Sequence, residues 1–260
     1  MTLNAEKLEA ALGGPHWKVH LIVQDECANT NQLVAQVMDA DNAPQAVLAA
    51  TNYQSEGEGR RERSWHSPRG TDVLATLGVR LTDYSYGLDS RFPLLASELV
   101  ARGVEETASV YLHTKWPNDL VSGERRKVGG ILVRNKSSHL AIGIGINVNS
   151  KRTDYPEEIQ WRVGTLSEIA GRQLDLTQLT GAIVSELLRH FTGEHPLITD
   201  ELMDKWLDRS LTVGEPLMLY RDGKLVEVTP LRLVRETGEL IVREGDGSET
   251  VLSSADAIEF

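Results

Sequence analysis

The chain has one cysteine, Cys27, in 260 residues. A lone thiol excludes an intrachain disulfide. No apolar run reaches the roughly 18 residues needed to span a bilayer. The opening MTLNAEKLEAALGG has no basic start followed by an apolar stretch, so no secretory leader is expected. These absences lead to the expectation of a cytoplasmic protein. Positive charge is also scarce. Lys and Arg number 27 against 38 Asp and Glu, a net charge of -11, which argues against general affinity for nucleic acid or anionic membrane. Aromatic residues are only 5% of the chain, too few to suggest a stacking surface for single strands. The seven histidines (His16, His20, His66, His113, His139, His190 and His195) make no H-E-x-x-H spacing, so no histidine metal site is expected. There is no G-x-x-x-x-G-K-[ST] loop, no G-x-S-x-G elbow, no internal repeat and no low-complexity segment.

What is present is ordinary globular composition, with 40% hydrophobic and 25% charged residues. The length suits one large domain plus a small one. The first sixteen residues have room for one short helix, which leaves no helix-turn-helix module. His20 to Val23 reads as a strand. Asn29 or Thr30 caps a helix through Leu33, Val34 and Val37. Ala46 to Tyr53 and Val73 to Leu81 read as strands on either side of a polar loop, Gln54 to Thr71. A helix is expected over Leu94 to Val100 and a strand over Val110 to Thr114. Two antiparallel strands, Gly129 to Val133 and Leu140 to Val148, join around residues 135–138. Leu176, Leu179, Ile183, Leu187 and Phe191 mark an amphipathic helix behind Asp175 or Thr177. A short helix covers Leu202 to Leu207. After about Thr212, turn signals at Asp222-Gly223, Thr237-Gly238 and Asp246-Gly247 separate short β segments, which suggests a small β-barrel.

Four segments hold candidate chemistry. The loop from Gln54 to Pro68 combines Gly57 and Gly59 with Arg60, Arg61 and Arg63 and ends on Trp65. Its glycines admit close backbone approach, its arginines offer forked donors for phosphate or carboxylate, and Trp65 could cover a planar or apolar ligand. A solvated, salt-bridged loop is the plain alternative. Lys115-Trp116-Pro117-Asn118-Asp119 is followed by Arg125, Arg126 and Lys127, with Lys127 just before Gly129-Gly130. Its oxygen ligands suit a hydroxyl or a hard cation; a tight surface turn is equally open. Gly143-Ile144-Gly145-Ile146-Asn147 leaves one strand face nearly bare, so another backbone or a ligand must approach it. Asn29-Thr30-Asn31 opens a helix, where free backbone donors favour a polar or anionic group; ordinary capping serves as well.

In this order the segments resemble the biotin protein ligase family. Thr30-Asn31 is similar to the family's S-T-N, residues 54 to 68 to its Gly-Arg-rich loop ending in W-x-S-P, and Lys115 to Leu120 to its K-W-P-N-D. Lys127 with Gly130-Ile131-Leu132 is similar to K-x-x-G-I-L, and Gly143 to Asn147 to G-x-G-I-N. The resemblance implies an α+β fold: a mixed β-sheet flanked by helices, like class II aminoacyl-tRNA synthetase catalytic domains, with a small C-terminal β-barrel. Boundaries at 1–211 for a catalytic domain and 212–260 for the barrel follow. It also implies ATP and biotin as substrates, Mg2+, formation of biotinyl-5'-adenylate, and transfer to a lysine of a biotin carboxyl carrier protein, by a monomer or homodimer of the monofunctional type. Lys127, Arg60 and Asp119 are the implied catalytic residues. Asn29, Thr30, Asn31, Gln54, Gly57, Glu58, Gly59, Arg60, Lys127 and Gly130 would hold biotin. Arg60, Arg63, Trp65, Lys115, Asn118 and Asn147 would hold the nucleotide, and Asp119 is the metal candidate.

The chain departs from the family pattern in several places. Glu58 stands where the family has arginine, Glu62 where it has glycine, Asn29 where it has serine, and Arg134 where it often has glutamate. The expected resolution is that Glu58 turns aside toward Arg61 or Arg63. The alternatives are a lipoate ligase-type acyltransferase, whose R-R-x-S-G-G-G stretch is missing here, and a non-catalytic or weakly active biotin-binding homologue.

Overall fold

The fold is described from a computed structural model, for residues 2–12, 18–81, 90–136, 139–193, 198–221, 224–253 and 257–259. Its centre is a mixed seven-stranded sheet. The strands are β1 (Val19–Gln24), β2 (Ala46–Thr51), β3 (Val73–Val79), β4 (His113–Lys115), β5 (Asp119–Val121), β6 (Lys127–Lys136) and β7 (His139–Ile146). Their spatial order is β1-β2-β3-β7-β6-β5-β4. Only β1 and β2 pair in parallel; the other neighbours are antiparallel. Every residue of β2 and of β3 is buried, which explains their continuous apolar sequences: both faces of these central strands are covered.

The helices are α1 (Ala5–Leu12), α2 (Thr30–Met38), α3 (Phe92–Ala108), α4 (Glu157–Gln160), α5 (Leu166–Ala170), α6 (Leu176–Phe191) and α7 (Asp200–Arg209). None of the described helices is long and apolar enough to cross a membrane. On one face, α3 and α6 cross in close contact. A Cβ on Gly103 would stand 2.7 Å from the Ile183 Cα, so the missing side chain sets their separation. On the other face α2 covers part of the sheet. Its Val34 and Met38 pack with Val47, Ala49 and Ala141, and a Cβ on Gly78 would meet Val34 Cγ1 at 2.5 Å. Toward Gly145 of β7 and Gly130 of β6 the same face meets Trp65 instead.

The C-terminal segment forms a second sheet from β8 (Leu217–Arg221), β9 (Lys224–Leu233), β10 (Leu240–Glu244), β11 (Glu249–Leu252) and β12 (Ala257–Glu259), in the order β11-β10-β9-β8-β12. Leu217, Leu219, Val228, Leu240, Val242 and Leu252 are buried. Two expected turns are present, with Gly238 at φ 71 and Gly247 at φ 86, the left-handed region that glycine enters freely. The turn expected at Asp222-Gly223 lies outside the described residues, as does part of the 135–138 connection.

Three sequence expectations need adjustment. The third helix extends well beyond Leu94 to Val100, because Gly103, Glu105 and Glu106 hide its continuation behind polar and small residues. The strand expected over Val110 to Thr114 is confined to β4, and Asp119 to Val121, taken as part of a turn, is a strand.

One buried ion pair ties α7 to α3. Arg209 Nε lies 2.8 Å from Glu98 Oε2 and Nη2 2.8 Å from Glu105 Oε2, and the guanidinium stacks 4.5 Å over Tyr111. The Arg209 side chain is 9% exposed and that of Glu98 2%. Removing one partner strands the other charge in the interior. Arg209→Leu should therefore lower unfolding free energy by about 3–5 kcal/mol, read as a shift in the urea midpoint. A shift under about 1 kcal/mol would show that the pair contributes no more than an exposed one.

Candidate active site

The sheet face at Gly130 and Gly145 is the floor of a cleft of about 520 Å³. Its floor is bare because of the glycines. Gly145 of β7 pairs with Gly130 of β6, and Gly143 pairs with Leu132. A Cβ on Gly145 would stand 2.6 Å from Trp65 Cε2, and one on Gly130 3.2 Å from Trp65 Cζ3. A Cβ on Gly143 would meet Asn31 Oδ1 at 3.2 Å. The group that the bare strand face was expected to admit is therefore, in part, the Trp65 indole.

Trp65 is carried by a hairpin. Trp65 N–H donates to Gly57 O at 2.9 Å, Gly59 N–H to Arg63 O at 2.6 Å, and Glu58 pairs with Ser64. Gly57 is required here, since a Cβ would lie 2.5 Å from Trp65 O. At the hairpin tip Arg60 begins a single turn of 3-10 helix in which Arg61 takes φ 57. Arg125, also on the cleft wall, takes φ 62. Left-handed backbone at non-glycine residues tends to collect at functional sites.

One end of the cleft is a neutral polar network. Thr30 donates its backbone N–H to Gln54 Oε1 at 2.8 Å, and its hydroxyl lies 3.1 Å from the same atom. Thr30 Oγ1 is 2.7 Å from Thr76 Oγ1, and the Thr76 hydroxyl donates to Asn31 Oδ1 at 3.2 Å. Asn29 caps α2, accepting from Gln32 N–H at 3.0 Å. That end therefore holds Gln54 and Asn31 amides with fixed acceptor oxygens and their amide nitrogens available to a ligand.

The middle of the cleft is cationic. Lys127 Nζ lies 2.7 Å from Asp119 Oδ1 and 5.6 Å from the Trp65 ring centroid. Arg60 Nη1 donates to Asn118 Oδ1 at 3.1 Å, while Asn118 Nδ2 donates to Ile131 O at 2.8 Å. Burial pushes the Arg60 guanidinium below its usual value; Asp119 holds it up, and Arg61 and Arg63 push it down. It remains charged at neutral pH. Arg60, Arg61, Arg63, Lys115, Arg125 and Lys127 all line this cleft, a local concentration of positive charge in an acidic chain. Arg69 and Arg126, in the same sequence clusters, face elsewhere: Arg69 pairs with Asp25 at 2.9 Å and Arg126 with Glu124 at 2.9 Å.

At the far end Asn147 Nδ2 donates to Lys127 O at 3.2 Å and Gly164 O at 3.1 Å. Its Oδ1 is buried with no hydrogen-bond partner among the described residues. Trp65 Nε1 is in the same condition. A buried polar atom left unpaired costs about 1–3 kcal/mol, and at a cleft wall it marks a place where a ligand would supply the missing bond.

Of the residues singled out in the sequence, Thr30, Asn31, Gln54, Glu58, Gly59, Arg60, Arg63, Trp65, Lys115, Asn118, Asp119, Lys127, Gly130 and Asn147 line the cleft. Asn29 and Gly57 do not; they shape the helix start and the hairpin. Glu58 turns neither to Arg61 nor to Arg63. It pairs with Arg134 on β6, Oε2 to Nη2, at 2.5 Å. The two departures from the family pattern neutralise each other.

Sequence reasoning missed Thr76, Tyr155 and Asp72. Thr76 is the polar residue inside the apolar run of β3, and that interruption was the available signal. Asp72 is 1% exposed and accepts from Val148 N–H, Ser150 Oγ and Ser67 Oγ, each at 2.8 Å, and from Tyr155 OH at 3.1 Å. Burial pushes its carboxyl up and these bonds hold it down. It locks the base of the Trp65 loop to the end of β7. Nothing in the local sequence distinguishes it from any other loop aspartate. Trp161, Arg162 and Val163, which also line the cleft, left no signal.

With this geometry the comparisons with known proteins agree. Residues 25–149, just under half of the chain, match the model of the Biotin/lipoate A/B protein ligase family. Among curated relatives, the bifunctional ligase/repressor BirA of Bacillus subtilis is 35% identical over 161 residues, 60% of this chain and 49% of its own length. The chain thus spans about half of that relative. The biotin--[acetyl-CoA-carboxylase] ligase of Mycobacterium tuberculosis is 24% identical, with 94% of this chain and 90% of its own length covered. Among solved structures, the biotin protein ligase from Aquifex aeolicus in complex with biotin and ATP superposes with TM-score 0.72 at 25% identity, covering 92% of this chain and 98% of that one.

The Trp65 contact is directly testable. Gly145→Ala places a methyl group inside the indole position. In 5-fluorotryptophan-labelled protein, the resonance that disappears in Trp65→Phe should move toward the solvent-exposed range in Gly145→Ala. Stability should change by less than about 1 kcal/mol, since the group displaced is on a loop. An unmoved resonance would mean that the indole does not rest on the glycine floor.

Proposed function

We propose that this chain is a biotin protein ligase, which activates biotin with ATP to biotinyl-5'-adenylate and passes the acyl group to a lysine of a biotin carboxyl carrier protein. The observation that carries the reading is the order of groups along one cleft: a neutral hydrogen-bonding end, a cationic centre, and an unpaired acceptor at the far end. Biotin has a ureido ring, an apolar arm and a carboxylate. Gln54, Asn31 and Thr30 suit the ring, the Trp65 face and glycine floor suit the arm, and Lys127 with Arg60 suits the carboxylate.

The chemistry follows from charge. A carboxylate oxygen must attack the α-phosphorus of ATP, and two anions repel. Cations fixed in place before the reaction lower that barrier without reorganising. Lys127 and Arg60 would do so, with Asp119 orienting Lys127 and Asn118 orienting Arg60. The carboxylate oxygen bonds to phosphorus and pyrophosphate leaves. Arg63 and Lys115 would hold the phosphates, and Asn147 Oδ1 would accept an adenine amino hydrogen. The carrier amine then attacks the acyl carbon, AMP leaves, and the amine proton passes to solvent. Asn29, Gly57, Gly59, Glu58 and Gly130 would act by shaping the pocket.

Among the described residues, no group of three or more His, Cys, Asp or Glu could hold a metal ion, and Asp119 is engaged by Lys127. The residues present do not make a magnesium site of their own; Mg2+ would arrive as the counter-ion of the ATP substrate. We further propose that 1–211 form the catalytic domain, of the class II synthetase-like kind, and 212–260 a small β domain closing as a barrel. The single inward-facing set of β8 to β11 leucines and valines supports that closure.

Two variants test the assignment. Lys127→Ala should abolish biotin-dependent exchange of pyrophosphate into ATP while leaving the urea midpoint nearly unchanged, since Lys127 is partly exposed. Exchange at an undiminished rate would remove Lys127 from the chemistry. Arg60→Gly removes the guanidinium that would retain the adenylate phosphate. Labelling of lysines on an unrelated bystander protein should then rise several-fold. Labelling no higher than with the unmodified enzyme would assign retention elsewhere.

A further inference from the structure

We infer that the Glu58–Arg134 ion pair is a clasp on the hairpin over the cleft: it keeps the loop shut and turns the Glu58 carboxylate away from an anionic ligand. The inference rests on the ligase reading for the identity of that ligand, but the clasp itself stands on geometry.

The loop is tied down at both of its ends. Ser55 N–H donates to Cys27 O at 3.0 Å and Glu56 N–H to Ala28 O at 2.8 Å. Beyond Trp65, Ser67 donates to Asp72. Between these ties, two side-chain bonds among the described residues reach from the hairpin to the sheet and its connecting turn. Arg60 reaches Asn118 on one side, through a group that a bound phosphate would recruit for itself. Glu58 reaches Arg134 of β6 on the other, and Arg134 does not line the cleft. The first bond is exchanged when ligand binds; the second is not. A hairpin held by Glu58 and Arg134 therefore remains closed whether or not Arg60 is occupied.

Glu58 itself lines the cleft. Without Arg134 its carboxylate would be free to face the same space as the biotin carboxylate and the phosphate, and like charges at short range in a partly dry site repel strongly. Arg134 therefore does two things, and the two can be separated. Glu58→Gln loosens the clasp but also removes the offending charge. Arg134→Gln loosens the clasp and leaves the charge behind. The pair is partly exposed, at 36% for Glu58 and 49% for Arg134, so the clasp alone is worth a small factor and is weakened by salt.

The test uses the full chain as four proteins: unmodified, Glu58→Gln, Arg134→Gln, and the exchanged pair Glu58→Arg with Arg134→Glu. Without ligand, amide hydrogen exchange of residues 54–66 should quicken by about threefold in both single variants and return to within about twofold of the parent in the exchanged pair. Raising salt should quicken exchange in the parent and the exchanged pair but not in the single variants. Biotinyl-adenylate, formed from biotin and ATP, should leave about threefold faster from Glu58→Gln and about tenfold faster from Arg134→Gln. Equal loop exchange in all four proteins, an exchanged pair as loose as the single variants, or release from Glu58→Gln at least as fast as from Arg134→Gln would each overturn the inference. A protein whose loop exchange follows the clasp but which makes no biotinyl-adenylate would refute the ligase reading, and with it the shielding role, while the clasp would stand.

Discussion

The Trp65 indole resting on the backbone of Gly130 and Gly145 sets the shape of everything above the sheet. A strand face with no side chains is a surface that only a flat group can cover closely, because dispersion contacts fall away within a fraction of an ångström. Placing Trp65 there brings the hairpin of residues 57 to 65 down over β6 and β7. That in turn carries Arg60 to Asn118 and Glu58 to Arg134. Any side chain at Gly145 would lift the indole and, with it, the cations that make the cleft useful. The same logic explains why α2 stops covering the sheet where it does. Gly78 admits its Val34, Gly143 admits Asn31, and beyond that point the glycine row serves the loop instead of the helix.

Charge is arranged on the same plan. The chain is acidic, yet its cleft gathers arginines and lysines, and Arg60, Arg125 and Lys127 are each held by a particular neutral or acidic partner. Asn118 is an instructive case. Both ends of its amide are used inside the protein, one on Arg60 and one on the β6 backbone. A residue whose sequence context suggested direct contact with a nucleotide is thus equally a support for the guanidinium beside it. Asn147 differs: its amino group is used twice and its carbonyl oxygen not at all among the described residues, which leaves that oxygen able to accept a hydrogen bond from something in the cleft.

Much of this was legible in the sequence, for reasons that differ by element. The α6 periodicity, the Asn29 cap and the continuous apolar runs of β2 and β3 are local signals, and each appears in the structure within a residue or two. The alternation of glycine and isoleucine in β7 announced a bare face, though not what would lie on it. Asp72 was invisible because its role comes from four partners separated from it in sequence by between 5 and 83 residues. Glu58 was expected to pair with Arg61 or Arg63 and pairs instead with Arg134. Arg61 and Arg63 are near in sequence, yet the hairpin points Glu58 across to β6, and only the strand register brings Arg134 beneath it.

The second sheet enters the site by the same kind of long-range contact. Trp116, 1% exposed, donates its indole N–H to Gly238 O at 2.9 Å and its backbone N–H to Thr212 Oγ1 at 2.8 Å. Arg125 on the cleft wall pairs with Glu215 at 2.8 Å. The turn at Gly238 lies so close to Arg91 that a Cβ there would stand 3.0 Å from its Cγ. The tryptophan of the Lys115 to Asp119 segment is therefore a joint. It fastens the C-terminal sheet to the strand end from which Asn118 and Asp119 project. An interior hydrogen bond from an indole is costly to leave unmade, so a displaced C-terminal segment would loosen the very turn that aims Asn118 at Arg60 and Asp119 at Lys127. The small sheet, none of whose described residues lines the cleft, is in this way tied to the turn from which Asn118 and Asp119 project.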